Sequence, residues 1–276
     1  HEDGGILSGL MSRPQVCLSR DADSESVVAS LVQGLLAEAE SEKMITVYTW
    51  SHRPLDAFTV YGFRRRVTEG DVVLDLRLGP EALFRQFHET RRRNIRLATR
   101  NGVEVSMAST EEDIAGFYEV YSQWRHTERK EIHHNLSFEV FLNRYRYNKA
   151  NYRFFLARHS GRIIAGVTAR AYPSGLVEFA NNSSLDEFLH LRPNDLLQWR
   201  IIEWACASGY SRYSLGGAHT FLRRFGGKVI PIYRYRLDRT FLRRHDLHEG
   251  LMDTGRSVLR KCPPPVEKAV RKLLGK

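Results

Sequence analysis

The residues of this chain able to do chemistry are an arginine knot, scattered proton-transfer candidates and a histidine pair. Arg91-Arg92-Arg93, with Arg96 and Arg100, lies mid-chain. Leu83/Phe84, Phe87, Arg91, Ile95 and Ala98 recur at helical spacing, so Arg91 interrupts an apolar stripe, with Asn94 beside it. Arg92 and Arg93 read as solvent-facing. Arg91 faces the packed side and needs a partner there, either a carboxylate of the fold or an anionic ligand. Glu178 lies within a predicted strand. It reads either as a proton acceptor whose pKa a cleft would raise, or as half of a cross-strand salt bridge with an arginine. His219 follows the Gly216-Gly217 break and reads as an acid, a base or a surface-loop histidine. Tyr210 and Tyr213 can donate a proton or pack. His133-His134, with His126 upstream, raises the question of a metal. Adjacent histidines point apart and no Asp/Glu/His spacing completes a ligand set, so no metal is expected. Ser-His-Asp, P-loop and dinucleotide-binding patterns are not found.

The chain of 276 residues is 42% hydrophobic, enough to bury a core, and no apolar run reaches the roughly 20 residues of a membrane span. Cys17, Cys206 and Cys262 are odd in number and far apart, against a disulfide scaffold or a cysteine zinc cage and for a reducing, cytoplasmic setting. Cys206 reads as a packing residue rather than a nucleophile. The chain begins with His1, which reads as a fragment or a processed product. Its formal charge of +10 is uneven: from Arg239 onward, ten Lys/Arg face four Asp/Glu. That excess suits a polyanion, and the amphipathic spacing of the tail suits peripheral contact with anionic membrane at its inner face. Helices packing back on the domain with a wet basic face are the other reading of this tail.

These residues must be positioned by an alternation of helices and strands. Apolar periodicity predicts helices over 25–39, 80–100, 138–147 and 195–208, with one more after a Ser109/Glu112 capping box. Strands are predicted over 44–50, 72–78, 103–107, 152–158, 162–172, 176–182, 212–215 and 229–237. The turns His159-Ser160-Gly161 and Pro173-Ser174-Gly175 make the strands of 152–182 antiparallel neighbours. Cys262-Pro263-Pro264-Pro265 divides the tail into two short helices. The fold class is α+β, a mixed and mostly antiparallel sheet flanked by helices. Helix, strand, Phe-Gly turn and strand occur both before residue 78 and over 195–237, a weak internal repeat.

The element order and several motifs resemble the GNAT acyltransferase superfamily and its tandem-domain Fem-type (FemAB-like, peptidoglycan) branch. Arg92-Arg93-Asn94-Ile95-Arg96-Leu97-Ala98, followed by Asn101-Gly102-Val103, looks like that group's interdomain helix. Leu191-Arg192-Pro193-Asn194-Asp195-Leu196-Leu197 looks like its entry to the central helix. Gly209-Tyr210, then Tyr213-Ser214-Leu215-Gly216-Gly217, looks like its next strand and turn, and Phe221-Leu222-Arg223-Arg224-Phe225-Gly226-Gly227 like its Phe-Lys-x-x-Phe-Gly signature. The resemblance covers 71–237. Leu222 stands where the signature has Lys, Ser214 where Asp is common, and no coiled-coil arm is inserted. It implies a tandem GNAT-like fold with an incomplete first copy. Residues 1–78 would be the end of that copy, 79–101 an interdomain helix, 102–238 a complete domain and 239–276 a basic helical tail.

The resemblance also implies a chemistry: N-acyl transfer from acyl-CoA, such as acetyl-CoA, to an amine of a small-molecule or lipid-linked glycan acceptor. Aminoacyl-tRNA is the alternative donor, and a non-catalytic basic module binding membrane or nucleic acid is the alternative of another class. The donor would lie between two splayed parallel strands, 176–182 and 212–215, touching Phe179, Ala180, Arg192, Pro193, Asn194 and Asp195. Arg91, Asn94, His133, His134, Gly216, Gly217, Arg224 and Phe225 would contact substrate. Glu178, His219 and Tyr213 would move protons. The Gly-rich phosphate loop of acetyl-CoA enzymes is missing from 191–197.

Overall fold

The structure, a computed structural model, describes residue 16 and residues 25–125 and 136–261. His126, His133, His134 and the proline break after Cys262 lie outside the described residues. In chain order the elements are α1 (Glu25–Ser41), β1 (Thr46–Ser51), α2 (Asp56–Val60), β2 (Arg64–Asp75), α3 (Pro80–Gln86), α4 (Glu89–Arg100), β3 (Glu104–Met107) and α5 (Glu111–Arg125). Then follow α6 (Phe138–Tyr147), β4 (Tyr152–His159), β5 (Arg162–Ala171), β6 (Leu176–Ser184), α7 (Pro193–Ala207), β7 (Arg212–Ser214), α8 (Thr220–Arg223), β8 (Lys228–Asp238) and α9 (Arg244–Lys261). They form two compact units, His1–Thr68 with Ile232–Lys276, and Glu69–Pro231.

In the first unit β1 pairs antiparallel with β8, from Thr46 opposite Asp238 to Ser51 opposite Tyr233. Val28 and Val32 of α1 pack with Phe58, Phe63 and Tyr235. The Tyr235 hydroxyl accepts a hydrogen bond from the Leu55 amide at 2.6 Å. The helix at 56–60 has no counterpart in the sequence reading, because a helix this short cannot display a period.

The second unit holds a mixed, mostly antiparallel sheet in the order β2-β7-β6-β5-β4-β3, with β6 and β7 its parallel pair. Successive side chains of a strand point to opposite faces, and β4 shows the consequence. Phe154 and Leu156 enter a core with α5 and α6, while Phe155 and Ala157 enter one with α4 and α7. Gly166 of β5 lies under the Phe117 ring of α5, where a Cβ would stand 2.5 Å from ring atoms. Gly166→Ala should therefore destabilise the chain by about 1–3 kcal/mol, the range for overpacking, read as a lower urea midpoint. An unchanged midpoint would mean the ring can move aside.

Several boundaries differ from the sequence reading for local reasons. The predicted 80–100 helix is two helices. Phe87 is extended, with ψ 141°, and buries its ring against Phe84, Trp199 and Phe225. His88 then caps α4, its Nδ1 accepting from the Thr90 amide at 3.2 Å. The cap of α5 is formed by Thr110 and Asp113, not Ser109 and Glu112. The Asp113 amide donates to Thr110 Oγ1 at 3.2 Å, and Asp113 Oδ2 accepts from the Ser109 and Thr110 amides. The strand predicted to reach 78 ends at Asp75, whose Oδ1 accepts from the Arg77 amide and starts a short 3-10 turn, Leu76–Leu78.

Candidate active site

The site begins where β6 and β7 part. Their parallel pairing covers only Leu176–Glu178 against Arg212–Ser214. Beyond Ser214 the chain stays with β2: the Leu215 amide donates to Val72 O and the Val72 amide to Gly217 O, both at 2.9 Å. β6 runs on to Ser184 without that partner. Its other edge shifts register between Thr168 and Ala169, so Ala180 is the extra residue of a bulge. Gly216 sits at the apex with φ 70°, where a Cβ would fall 2.9 Å from the Phe179 carbonyl. No side chain fits there. The result is a fork whose open edge is the backbone of 179–184.

The N-terminus of α7 stands beside this edge. Asn194 Oδ1 accepts from Asn182 Nδ2 at 2.9 Å and from Ser184 Oγ at 2.8 Å, fixing the helix start to β6. Arg192 precedes it in the left-handed conformation, φ 61°, and Pro193 occupies the first turn. Arg192 and Arg224 are exposed. First-turn amides have no acceptor within their own helix and carry partial positive charge, which suits an anion.

Asp195 lies just inside that turn. It accepts from Arg91 Nη1 at 2.6 Å and from Asn94 Nδ2 at 3.3 Å, with Arg91 and Asp195 side chains 9% and 5% exposed. Arg91 also lies over the Phe221 ring, 4.5 Å from its centroid. Burial pushes the Asp195 carboxyl up to about 6 despite Arg91 and Asn94, and burial likewise lowers Arg91, helped by the charges of Arg224 and Arg192. The stripe-breaking arginine thus meets a carboxylate of the fold. The side chains of Arg91, Asn94 and Asp195 are engaged with one another, leaving Asp195 only its backbone amide for a ligand, and Phe225, fully buried against Phe87, is a core residue. They hold α4 and α7 in place around the fork.

On the opposite face of the sheet, under α5 and α6, Tyr152, Arg170, Glu178 and Ser214 are cross-strand neighbours. Glu178 Oε2 takes Arg170 Nη2 at 2.9 Å and the Tyr172 hydroxyl at 3.1 Å. Oε1 has no partner among the described residues. Burial and the Glu178 charge push the Tyr172 hydroxyl up to about 12. Arg144 of α6 lies over the Tyr152 ring, 5.1 Å from its centroid, with no carboxylate partner among the described residues. Burial lowers its pKa, and the charge of Arg170 adds to this.

Tyr213 lies on the α7 side, fully buried, with its hydroxyl donated to Gln198 Oε1 at 2.7 Å and its pKa raised by burial. That removes it from the proton-transfer candidates. His219 precedes α8 without a side-chain capping hydrogen bond; it is exposed overall, its ring 6.2 Å from Phe221, and partial desolvation on that side lowers its pKa. Cys206 is half-buried, its thiol directed to Leu76 O at 3.5 Å and its pKa raised by burial. Among the described residues no group of His, Cys, Asp or Glu could hold a metal.

The sequence reading passed over Asn182, Ser184, Arg170 and Tyr172. A signal existed: Asn182 and Ser184 are two apart on one strand, as are Arg170 and Tyr172, so each pair shares a face.

A family model described as an acetyltransferase (GNAT) domain matches residues 85–225, half of the chain, and spans the fork, both flanking helix pairs and Arg224. The chain belongs to this acetyltransferase (GNAT) family. The GNAT fold is shared with FemX at 14% identity over 82% of this chain and 80% of that one, TM-score 0.63. L-PGS from Bacillus licheniformis is also 14% identical, covering 79% and 76% of the two chains at TM-score 0.60. No curated protein matches the chain. The GNAT fold read from 92–103, 191–197 and 209–227 is thus the fold of this domain.

Proposed function

We propose that this GNAT domain moves an acetyl-type group from acyl-CoA to an amine of a cell-envelope or small-molecule acceptor. The observation that carries the reading is the fork: an open β6 edge at 179–184 beside the start of α7. The pantetheine amides would pair with that edge and the pyrophosphate would meet the α7 amides and exposed Arg192 and Arg224. The acceptor would enter from the α5/α6 face. There Glu178 Oε1 accepts a proton from its ammonium group. The freed amine attacks the thioester carbonyl, the C–S bond breaks, and the second proton lost by the nitrogen as the amide forms passes through solvent to the leaving thiolate. Arg144 suits an acceptor with a carboxylate or phosphate besides its amine, as an envelope precursor has.

Titration calorimetry with acetyl-CoA tests the donor. Wild type should bind, and Arg192→Ala and Arg224→Ala should each weaken binding about tenfold, the value of one charge-assisted contact. Binding of S-acetylpantetheine, which lacks the pyrophosphate, should not change. Binding of charged tRNA with indifference to acyl-CoA would overturn the donor assignment.

A further inference from the structure

We propose that the loop after β8 and the outward side of α9 form a docking surface for an anionic lipid bilayer. Its apolar part is Phe241, 87% exposed, and Leu242, 69% exposed, followed by exposed Leu247 and Leu251 of α9. Residues four apart share a helix face, so the two leucines form one stripe. Exposed Arg239, Arg243 and Arg244 flank the tip and pair with no carboxylate among the described residues.

The outward presentation is built into the backbone. Leu242 and Arg243 have φ of 56° and 48°, a left-handed conformation that residues with side chains adopt at a cost. Asp238 holds them there. Its Oδ1 accepts from the Thr240 amide at 3.0 Å and hydroxyl at 2.6 Å, and its Oδ2 from the Asp246 amide at 3.1 Å. Thr240 Oγ1 in turn accepts from the Arg244 amide at 2.9 Å.

Charge is sorted in the same sense. Asp246 and Glu249, the acidic residues of the first turns of α9, point at strand arginines. Arg236 reaches Asp246 at 2.8 Å and Glu249 at 2.6 Å, and Arg66 and Arg234 also pair with Glu249. Burial would raise the Glu249 carboxyl, but these arginines hold it below the ordinary carboxylate range. The negative charge is thus taken up on the inner side. The outward side keeps bare arginines around large apolar side chains. Lipid matches both: headgroup phosphates for the arginines and the acyl boundary for Phe241 and Leu242. No helix among the described residues is long and apolar enough to cross a membrane, so the contact lies at the surface.

Vesicle flotation of the full chain is the test, with phosphatidylcholine vesicles compared with vesicles that also contain phosphatidylglycerol. The anionic vesicles should bind at least about tenfold more strongly, and less at high salt. Phe241→Ser/Leu242→Ser and Arg243→Gln/Arg244→Gln should each lower that binding about tenfold or more. The serine pair should leave the Tm unchanged, because water already surrounds both side chains. The proposal fails if the chain ignores anionic vesicles or if the serine pair binds them as wild type does. It also fails if the serine pair dissociates a dimer in solution, since a second copy then covers the patch.

Discussion

Asp195→Ala should lower the unfolding free energy by about 3–5 kcal/mol, the cost of leaving one member of a buried ion pair alone. The partner left behind is Arg91, 9% exposed at its side chain, whose Nε already has no hydrogen-bond partner. A domain holds only about 5–15 kcal/mol in all, so the variant should sit near its unfolding threshold. Removing both charges should be far milder. Arg91→Met/Asp195→Leu fills the same space without desolvating ions and should recover most of the loss, as replaced buried pairs commonly do. Urea denaturation of the three variants checks this. A loss below about 1 kcal/mol for Asp195→Ala would mean the pair does not hold α4 against α7.

The pH dependence of that loss has a definite sign. Burial raises the Asp195 carboxyl to about 6 in the folded chain. A raised folded pKa contributes stability that is complete below the unfolded value and is lost as pH rises through the folded one. The gap between wild type and Asp195→Ala should therefore be widest near the unfolded carboxyl value, about 4, and shrink as pH rises through 6. A gap that widens instead would show that the Arg91 charge outweighs burial.

Glu178→Gln should lower kcat for acetyl transfer by about 100-fold or more, the ordinary worth of a positioned general base. Glutamine keeps an oxygen for Arg170 and Tyr172 while losing the ability to take a proton. Folding should change little, because neither partner is removed. Free CoA thiol, released on transfer to an amine acceptor, gives the rate. If kcat stays within a few-fold while the urea midpoint falls, Glu178 is only the cross-strand partner of Arg170.

The parts of this fold legible in the sequence were those with long, repeated patterns. The strands of 152–184 are long runs separated by tight turns that hold Gly161 and Gly175, both at positive φ, so their antiparallel pairing could be read directly. Helices at 138–147 and 193–207 showed their apolar faces in the same way. Short elements such as 56–60 and 220–223 were hidden because a turn or so of helix has no period to show. The break at Phe87 was hidden because its aromatic partners come from 199 and 225, far along the chain.

The candidate site was legible as a list of positions but not as a set of partners. Arg91 announced a buried partner by interrupting an apolar stripe, yet that partner, Asp195, is 104 residues away. Glu178 was equally a base or a salt-bridge partner, and its contacts with Arg170 and Tyr172 put the pairing on one oxygen and leave the other open. Tyr213 carried a hydroxyl of the right type, but β7 turns it into the α7 core. Parity along a strand decides such cases, and it depends on a register that the bulge at Ala180 alters.

Backbone hydrogen exchange with and without saturating acetyl-CoA tests the central claim, a donor seated in the β6/β7 fork, most directly. The account predicts slower exchange in peptides covering 179–184 and 193–198, by about tenfold or more, since new hydrogen bonds form there on binding. Strands β3 and β4, remote from the fork, should exchange as before. Saturated binding that leaves 179–184 unprotected, or protects another segment instead, would contradict it.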